Sequence, residues 1–384
     1  WTLVIGSSLF ACYFACFFFI NNVIYFLANI ILGIAFAHKI WQIQVLYTSF
    51  STCQMIFSTR QTLARNSARI LGIANLSLIS GGILYIYITK THASSNDVFV
   101  SNENYRYYSE SETKIMCGFL FSFCMINLVL TCCLPTREID NSVSKENPHM
   151  KLDFCDQLKT TVSTLADPYI LMFVPRFINH GLIVSFFMNV YPTSLQYSTI
   201  LAKRYPMMTA YYAFAMCAGT TLCGFVVAPL NKYFNDFGLR PLYYITAGIQ
   251  LVTYTVAVLT VPNLSSARPT TESAFFEPNL MWVCLTAILL GFVDSTNAAS
   301  SSVICSRLLP GRASHTYSAA RFYRGVAAST IFFSSPYLTM KSHAIILISV
   351  TLISALSFDI SVKQIERREL ESQSLAKKAD QESI

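Results

Sequence analysis

Charge is the commodity this sequence has least of. Only 12% of its 384 residues are Asp, Glu, Lys or Arg, against roughly 25% in an average soluble domain. A chain that is also 53% hydrophobic cannot cover a water-facing surface with polar groups, so its solvent is lipid. The net charge of +7 is scattered over loops rather than gathered into a phosphate-tracking stripe, which argues against nucleic acid as a partner. Twelve cysteines are present, but no CxxC pair. They lie in apolar runs or short polar loops, so a disulfide framework and a zinc site are both disfavoured, and small buried hydrophobes are expected instead. No hydrolase elbow, HExxH or phosphate-cradling GxxxxGK[ST] occurs, and no cofactor motif accompanies them, so no enzyme is expected. The start has neither Met nor a charged leader: Trp1 opens directly into an apolar run. The first segment therefore reads as a membrane helix rather than a signal peptide, and the N-terminus as incomplete.

Long apolar runs are what the sequence has in quantity. A bilayer core of about 30 Å needs roughly 20 apolar residues as helix. Runs of that kind fall at roughly 1–20, 23–46, 68–89, 115–135, 168–191, 206–230, 241–262, 280–304, 317–339 and 343–361. About ten transmembrane helices are thus expected, in an all-α membrane protein with both chain ends on one side. Placing those ends in the cytoplasm leaves sixteen Lys and Arg residues in inner loops and the tail, against seven outside. That is the positive-inside bias. The sequon at Asn263 then falls in an outer loop, where glycosylation needs it, whereas the one at Asn75 lies within a span. Residues 90–114 form a long polar outer loop, and 136–167 a long charged inner one. The expected organisation is an N-terminal half-bundle of four spans (1–135), a cytoplasmic linker (136–167), a six-span half-bundle (168–362) and a cytoplasmic tail (363–384). The tail is either a solvated helix or disordered.

Several strings carry a resemblance. RNSARILGIANLSLISGGILYIYI begins at Arg65, and LGIAFAHKIWQIQ contains Trp41 and Gln44 in a W-x-x-Q spacing. DPYILMFVPRFINHGLIVSFFMNVYP begins at Asp167, LLGFVDSTNAASSS holds Gly291 and Asp294 in a G-x-x-D spacing, and ARFYRGVAASTIFFSSPYL begins at Ala320. In this order they resemble the fifth, fourth, seventh, tenth and eleventh helices of the Unc-ninety-three-like (ion channel regulatory protein) family of the major facilitator superfamily. The details are nearest to its subgroup of major facilitator domain-containing protein eleven. The resemblance implies a twelve-helix bundle here lacking family helices one and two, so that ten spans read as twelve less two. It departs from the family at Thr296, Asn297 and Ala298, where an aromatic and a Gln are usual, and at Arg324, where a Gln is usual.

The resemblance also says which helices line the superfamily's central cavity. His38, Lys39 and Gln42 would fall on helix four, Arg176, Asn179 and His180 on helix seven, and Asp294, Asn297 and Ser301 on helix ten. Arg176 and His180 are four residues apart, and Asp294 and Asn297 three, so each pair shares a helix face. Ionisable groups within a membrane cost several kcal/mol and default to functional candidates. One reading is a wet cavity in which Asp294 pairs with Arg176 or Lys39, and another is a static salt bridge. A third is snorkelling of Lys39 to the inner interface. His180 is a candidate proton relay or a satisfied hydrogen-bonding residue. The NKYFNDFGLRP loop, with Gly238 and Arg240, resembles the superfamily's short basic latch loop. Arg321 and Arg324 are gating candidates whose placement suggests reach to the inner interface. Pro175, Pro192 and Pro336 would bend their helices. The polar stripes point to a carrier of a small solute, while the resemblance implies as the alternative a non-transporting regulator of a potassium channel or escort of a receptor.

Overall fold

In this computed structural model the described residues are 2–19, 21–35, 77–92, 110–133, 154–233, 240–277, 279–309 and 312–382. Their secondary structure is helical apart from an isolated parallel bridge between Ser198 and Thr270. In chain order the helices are α1 (Thr2–Cys16), α2 (Asn22–Ala35), α3 (Ser77–His92), α4 (Glu110–Cys132), α5 (Phe154–Leu165) and α6 (Pro168–Ser185). They continue with α7 (Tyr191–Tyr197), α8 (Thr199–Arg204), α9 (Met208–Tyr233), α10 (Arg240–Thr260), α11 (Leu280–Leu308), α12 (Ala313–Ser334) and α13 (Met340–Glu382). Six segments among the described residues are long and apolar enough to cross a membrane: Glu110–Cys132, Pro168–Tyr197, Met208–Val227, Arg240–Thr260, Leu280–Cys305 and Met340–Arg367. Shorter apolar helices cover Val4–Phe19 and Asn22–Ala35. The span expected at 317–339 is a 22-residue helix, α12, but it is not in that apolar set. Arg321, Arg324 and its run of small polar residues lower its hydropathy, and it joins the bundle by packing along α6. The tail expected from 363 is helical as far as Glu382, a continuation of α13.

The chain divides into two compact units, one of residues 1–57 and 86–152, the other of 58–85 and 153–384. In the first, α1 packs on α4, with Asn127 Nδ2 donating to Ser7 Oγ at 3.1 Å and Phe18 set edge-on to Phe121. The opposite faces carry exposed Ile126, Val129 and Leu130 on α4 and Phe26 and Ile30 on α2. Apolar side chains turned outward in this way suit hydrocarbon surroundings.

The second unit has the larger core, and α6 is its axis, packed against α11, α12 and α13. Asp167 caps α6 by accepting from the Tyr169 N–H at 2.9 Å, and Pro168 at the first turn has no N–H to leave unpaired. The helix then loosens into a π turn over Phe186–Val190. Tyr212 of α9 donates to the Phe187 carbonyl at 2.8 Å, so the widened turn is tied to a neighbour. Phe186, Val190, Tyr191, Tyr254 and Leu290 fill one core cluster, and Phe173, Phe177, Tyr243, Ile304 and Phe358 another.

Glycines let α9 and α11 meet closely. A Cβ on Gly219 of α9 would fall onto the Ile288 carbonyl of α11, and one on Gly291 of α11 onto the Met216 carbonyl of α9. The two backbones meet reciprocally, which is how small residues drive packing inside a membrane. Gly291 therefore sits one turn before Asp294 for a packing reason and fixes where that carboxylate stands. At one end of this unit the connections are ordered: Thr199 N donates to Thr270 O at 3.1 Å, and Thr270 N to Tyr197 O at 2.9 Å. Asn263, the sequon residue, opens a 3₁₀ turn, and its Oδ1 accepts from the Lys341 N–H at 3.0 Å. The Ser265 of that sequon is buried.

Candidate functional site

Helix geometry puts Arg176 and His180 one turn apart on α6, and both are buried, with Arg176 only 1% exposed. The Arg176 guanidinium lies over the Tyr243 ring, 4.6 Å from its centroid. Its Nη2 donates to Ser300 Oγ at 2.6 Å and to the Asn297 carbonyl at 3.2 Å, both on α11. Nε and Nη1 are buried without a hydrogen-bond partner among the described residues. No carboxylate of the described residues stands within 4.0 Å of Arg176. The Asp294–Arg176 pair that the sequence suggests is therefore not formed. Asp294 instead faces His180, with Oδ1 3.5 Å from Nε2. That is too long for a good hydrogen bond, and both atoms are buried without one.

Gly181, beside His180, brings in a third helix. A Cβ there would strike the Arg324 carbonyl of α12, so only glycine lets α12 approach this closely. Ser185 Oγ, one turn on, donates to the Ala328 carbonyl at 3.0 Å and continues the same seam. Arg324 is half-buried and near enough to Asp294, His180 and Arg176 to act on each electrostatically. The sequence reading sent this side chain toward the inner interface. It stands in the middle of α12, on the turn whose backbone carbonyl meets Gly181. Arg321, one turn earlier, lies near Cys305 and Tyr317.

Asn179 turns away from Arg176 into a separate network. Its Nδ2 donates to Gln250 Oε1 of α10 at 3.2 Å, and Thr351 Oγ1 of α13 donates to Asn179 Oδ1 at 3.1 Å. Gln250 and Thr351 were not singled out from the sequence. Each is one uncharged polar residue in an apolar helix, a weak signal by itself. Asn297, expected in the site, offers its carbonyl to Arg176, while its side-chain Oδ1 and Nδ2 are buried without hydrogen-bond partners. Ser301 is half-buried, and its hydroxyl likewise lacks a partner. Of the latch candidates, Arg240 donates to Glu366 Oε2 at 2.7 Å and lies 3.6 Å from Asp359, both on α13. Lys363 bridges to Asp359 at 2.8 Å. His38, Lys39, Gln42 and Gly238 lie outside the described residues.

What the second unit assembles is a polar seam through an apolar bundle: three cationic or potentially cationic groups, one carboxylate and several orphaned amides and hydroxyls. The family described as ion channel regulatory protein UNC-93 matches residues 1–358. The chain belongs to the UNC-93 family. Among solved structures it is similar to the fucose:proton symporter of E. coli, with a TM-score of 0.53 and 10% identity, covering 94% of this chain and 83% of that one. At that identity the likeness concerns the fold, which is the major facilitator helical bundle. This member of the UNC-93 family is accordingly a multi-pass, all-helical integral membrane protein.

Proposed function

We propose that the chain is a transporter-like carrier of a small solute, with Arg176, His180, Asp294, Asn297 and Arg324 as its solute site, rather than an enzyme. The observation that carries this is the concentration of buried, incompletely hydrogen-bonded polar groups on α6 and α11. A bundle built only to hold its helices together would satisfy such groups or omit them, because each unpaired one costs about 1–3 kcal/mol. Transporters of this fold class gather such groups near the bilayer midplane. Both ends of this chain are proposed to be cytoplasmic. The test is solute uptake into proteoliposomes: saturable uptake that Asp294→Asn lowers at least tenfold is expected, and its absence for every solute class overturns the reading.

The second reading is a non-transporting regulator of an ion channel, and the description of the matching family favours it. Capture in mild detergent, followed by current recordings with and without the chain, tests it. A co-purifying channel whose current changes, together with no uptake of any solute, would establish this reading over the first.

A further inference from the structure

We propose that α5 is an interfacial helix lying at the bilayer surface beside the bundle, with Leu158 and Val162 in contact with lipid acyl chains. The sequence reading gives this stretch to a cytoplasmic linker, and the proposal holds for a carrier and a regulator alike. The order of the helix faces is the first argument. Thr161 and Thr164, three apart, share the face turned to the bundle, and Thr164 is buried. Thr161 Oγ1 is hydrogen-bonded to His315 Nδ1 of α12 at 2.8 Å. Tyr323 Oη, also on α12, donates to the Leu165 carbonyl at 2.9 Å. Leu158 and Val162, four apart, share a different face and are 54% and 57% exposed. A helix packed on a bundle in water carries its apolar stripe inward and its polar residues outward. α5 does the reverse, so its surroundings on the Leu158 side are more apolar than water.

A third face is the second argument. Asp156, Lys159 and Ser163 recur at intervals of three and four and are all exposed. Apolar and charged residues thus occupy separate flanks of α5, beside the threonine face that meets α12. A helix wholly in hydrocarbon could not turn Asp156 and Lys159 outward. A helix at the boundary has lipid along one flank and water along the other, which is the sorting found here. Position is the third argument. Two residues separate α5 from α6, whose Pro168–Tyr197 stretch is a membrane span. Exposed apolar side chains carry on along both neighbours, with Leu171 in the first turn of α6 and Phe322, next to Tyr323, on α12. Anchored in this way, and held by Thr161 and Leu165, α5 fixes the first turns of α6 and α12 at one depth in the bilayer.

The test is photo-crosslinking of the full chain in liposomes of phosphatidylcholine and phosphatidylglycerol. The photoreactive residue p-benzoylphenylalanine replaces Asp156, Leu158, Val162 or Ser163, one at a time, which leaves the native cysteines in place. All four side chains are exposed, so the substitutions do not disturb the core. Lipid adducts, read by mass spectrometry, are expected about fivefold or more in excess from positions 158 and 162 over 156 and 163. Equal yields at the four positions, or no adduct from 158 and 162, overturn the proposal. Adducts from 158 and 162 to a second copy of the chain in place of lipid overturn it too and make this face a protein interface. Amide exchange across residues 158–165 in the same liposomes is the second readout. Val162→Asp puts a charge on the lipid flank, and Ser163→Asp puts it on the water flank one residue away, where the helix dipole acts almost equally. Val162→Asp should speed exchange about fivefold or more beyond Ser163→Asp. Equal exchange in the two variants contradicts the lipid contact.

Discussion

Replacing Gly291 by alanine adds one methyl group where α9 and α11 cross in the second unit. The new Cβ lands on the Met216 carbonyl and beside the Thr220 amide, atoms of the α9 backbone that cannot rotate aside. The helices must separate, and a gap of about 0.5–1 Å forfeits roughly a quarter to a half of each dispersion contact along the seam. Overpacking of this kind costs about 1–3 kcal/mol, which is about a 5- to 150-fold fall in the folded-to-unfolded ratio. Gly219→Ala meets Ile288 from the other side and should cost a similar amount. The two should not add: once one methyl has parted the helices, the second enters existing space, so the double variant should lose less than the sum. Gly248→Ala on α10 is the control, because nothing stands within 4 Å of its Cβ position. There, alanine should be neutral or stabilising by up to about 1 kcal/mol through helix propensity. Thermal unfolding of the purified variants reads all four. Gly291→Ala as stable as the parent, or strictly additive losses, would refute the reciprocal-contact account.

Other perturbations probe the polar connections. Gln250→Leu removes the acceptor of Asn179 and should destabilise by about 1–3 kcal/mol. Thr351→Val should be non-additive with it in a double-mutant unfolding cycle, since both side chains meet Asn179. Tyr212→Phe leaves the Phe187 carbonyl of the π turn without its donor and should speed amide exchange across residues 186–190. Arg240→Gln breaks the pairs to Asp359 and Glu366, which are about one-third exposed, so the stability loss should stay below about 1 kcal/mol and shrink further in high salt. Its clearer readout is faster amide exchange in α13 around residues 359–366.

Much of this architecture is legible in hydropathy alone, because lipid demands long apolar helices and the sequence supplies them in order. The helix at 313–334 is the instructive case. Its two arginines make it look half-polar, and only the packing of α12 on α6 accounts for them. The ionisable candidates Arg176, His180 and Asp294 were visible because charge within an apolar run is rare. Their pairing was not, because spacing along a helix fixes a face and leaves open how two helices are rotated against each other. That rotation puts His180 opposite Asp294 and turns Asn179 to Gln250 instead. Arg324 illustrates the same limit: its position along the chain says nothing of the Gly181 contact that sets its backbone carbonyl against α6. The reciprocal role of Gly219 and Gly291 was equally hidden, since a glycine in an apolar helix gives no hint of which backbone approaches it.

The carrier account is tested most directly by uptake of a panel of labelled small solutes of every charge class into proteoliposomes holding the parent chain, Asp294→Asn or Arg240→Gln. The account predicts saturable uptake by the parent and by Arg240→Gln, with Asp294→Asn at the level of protein-free vesicles. Equal uptake by the parent and Asp294→Asn, or uptake by none of the three, would contradict it.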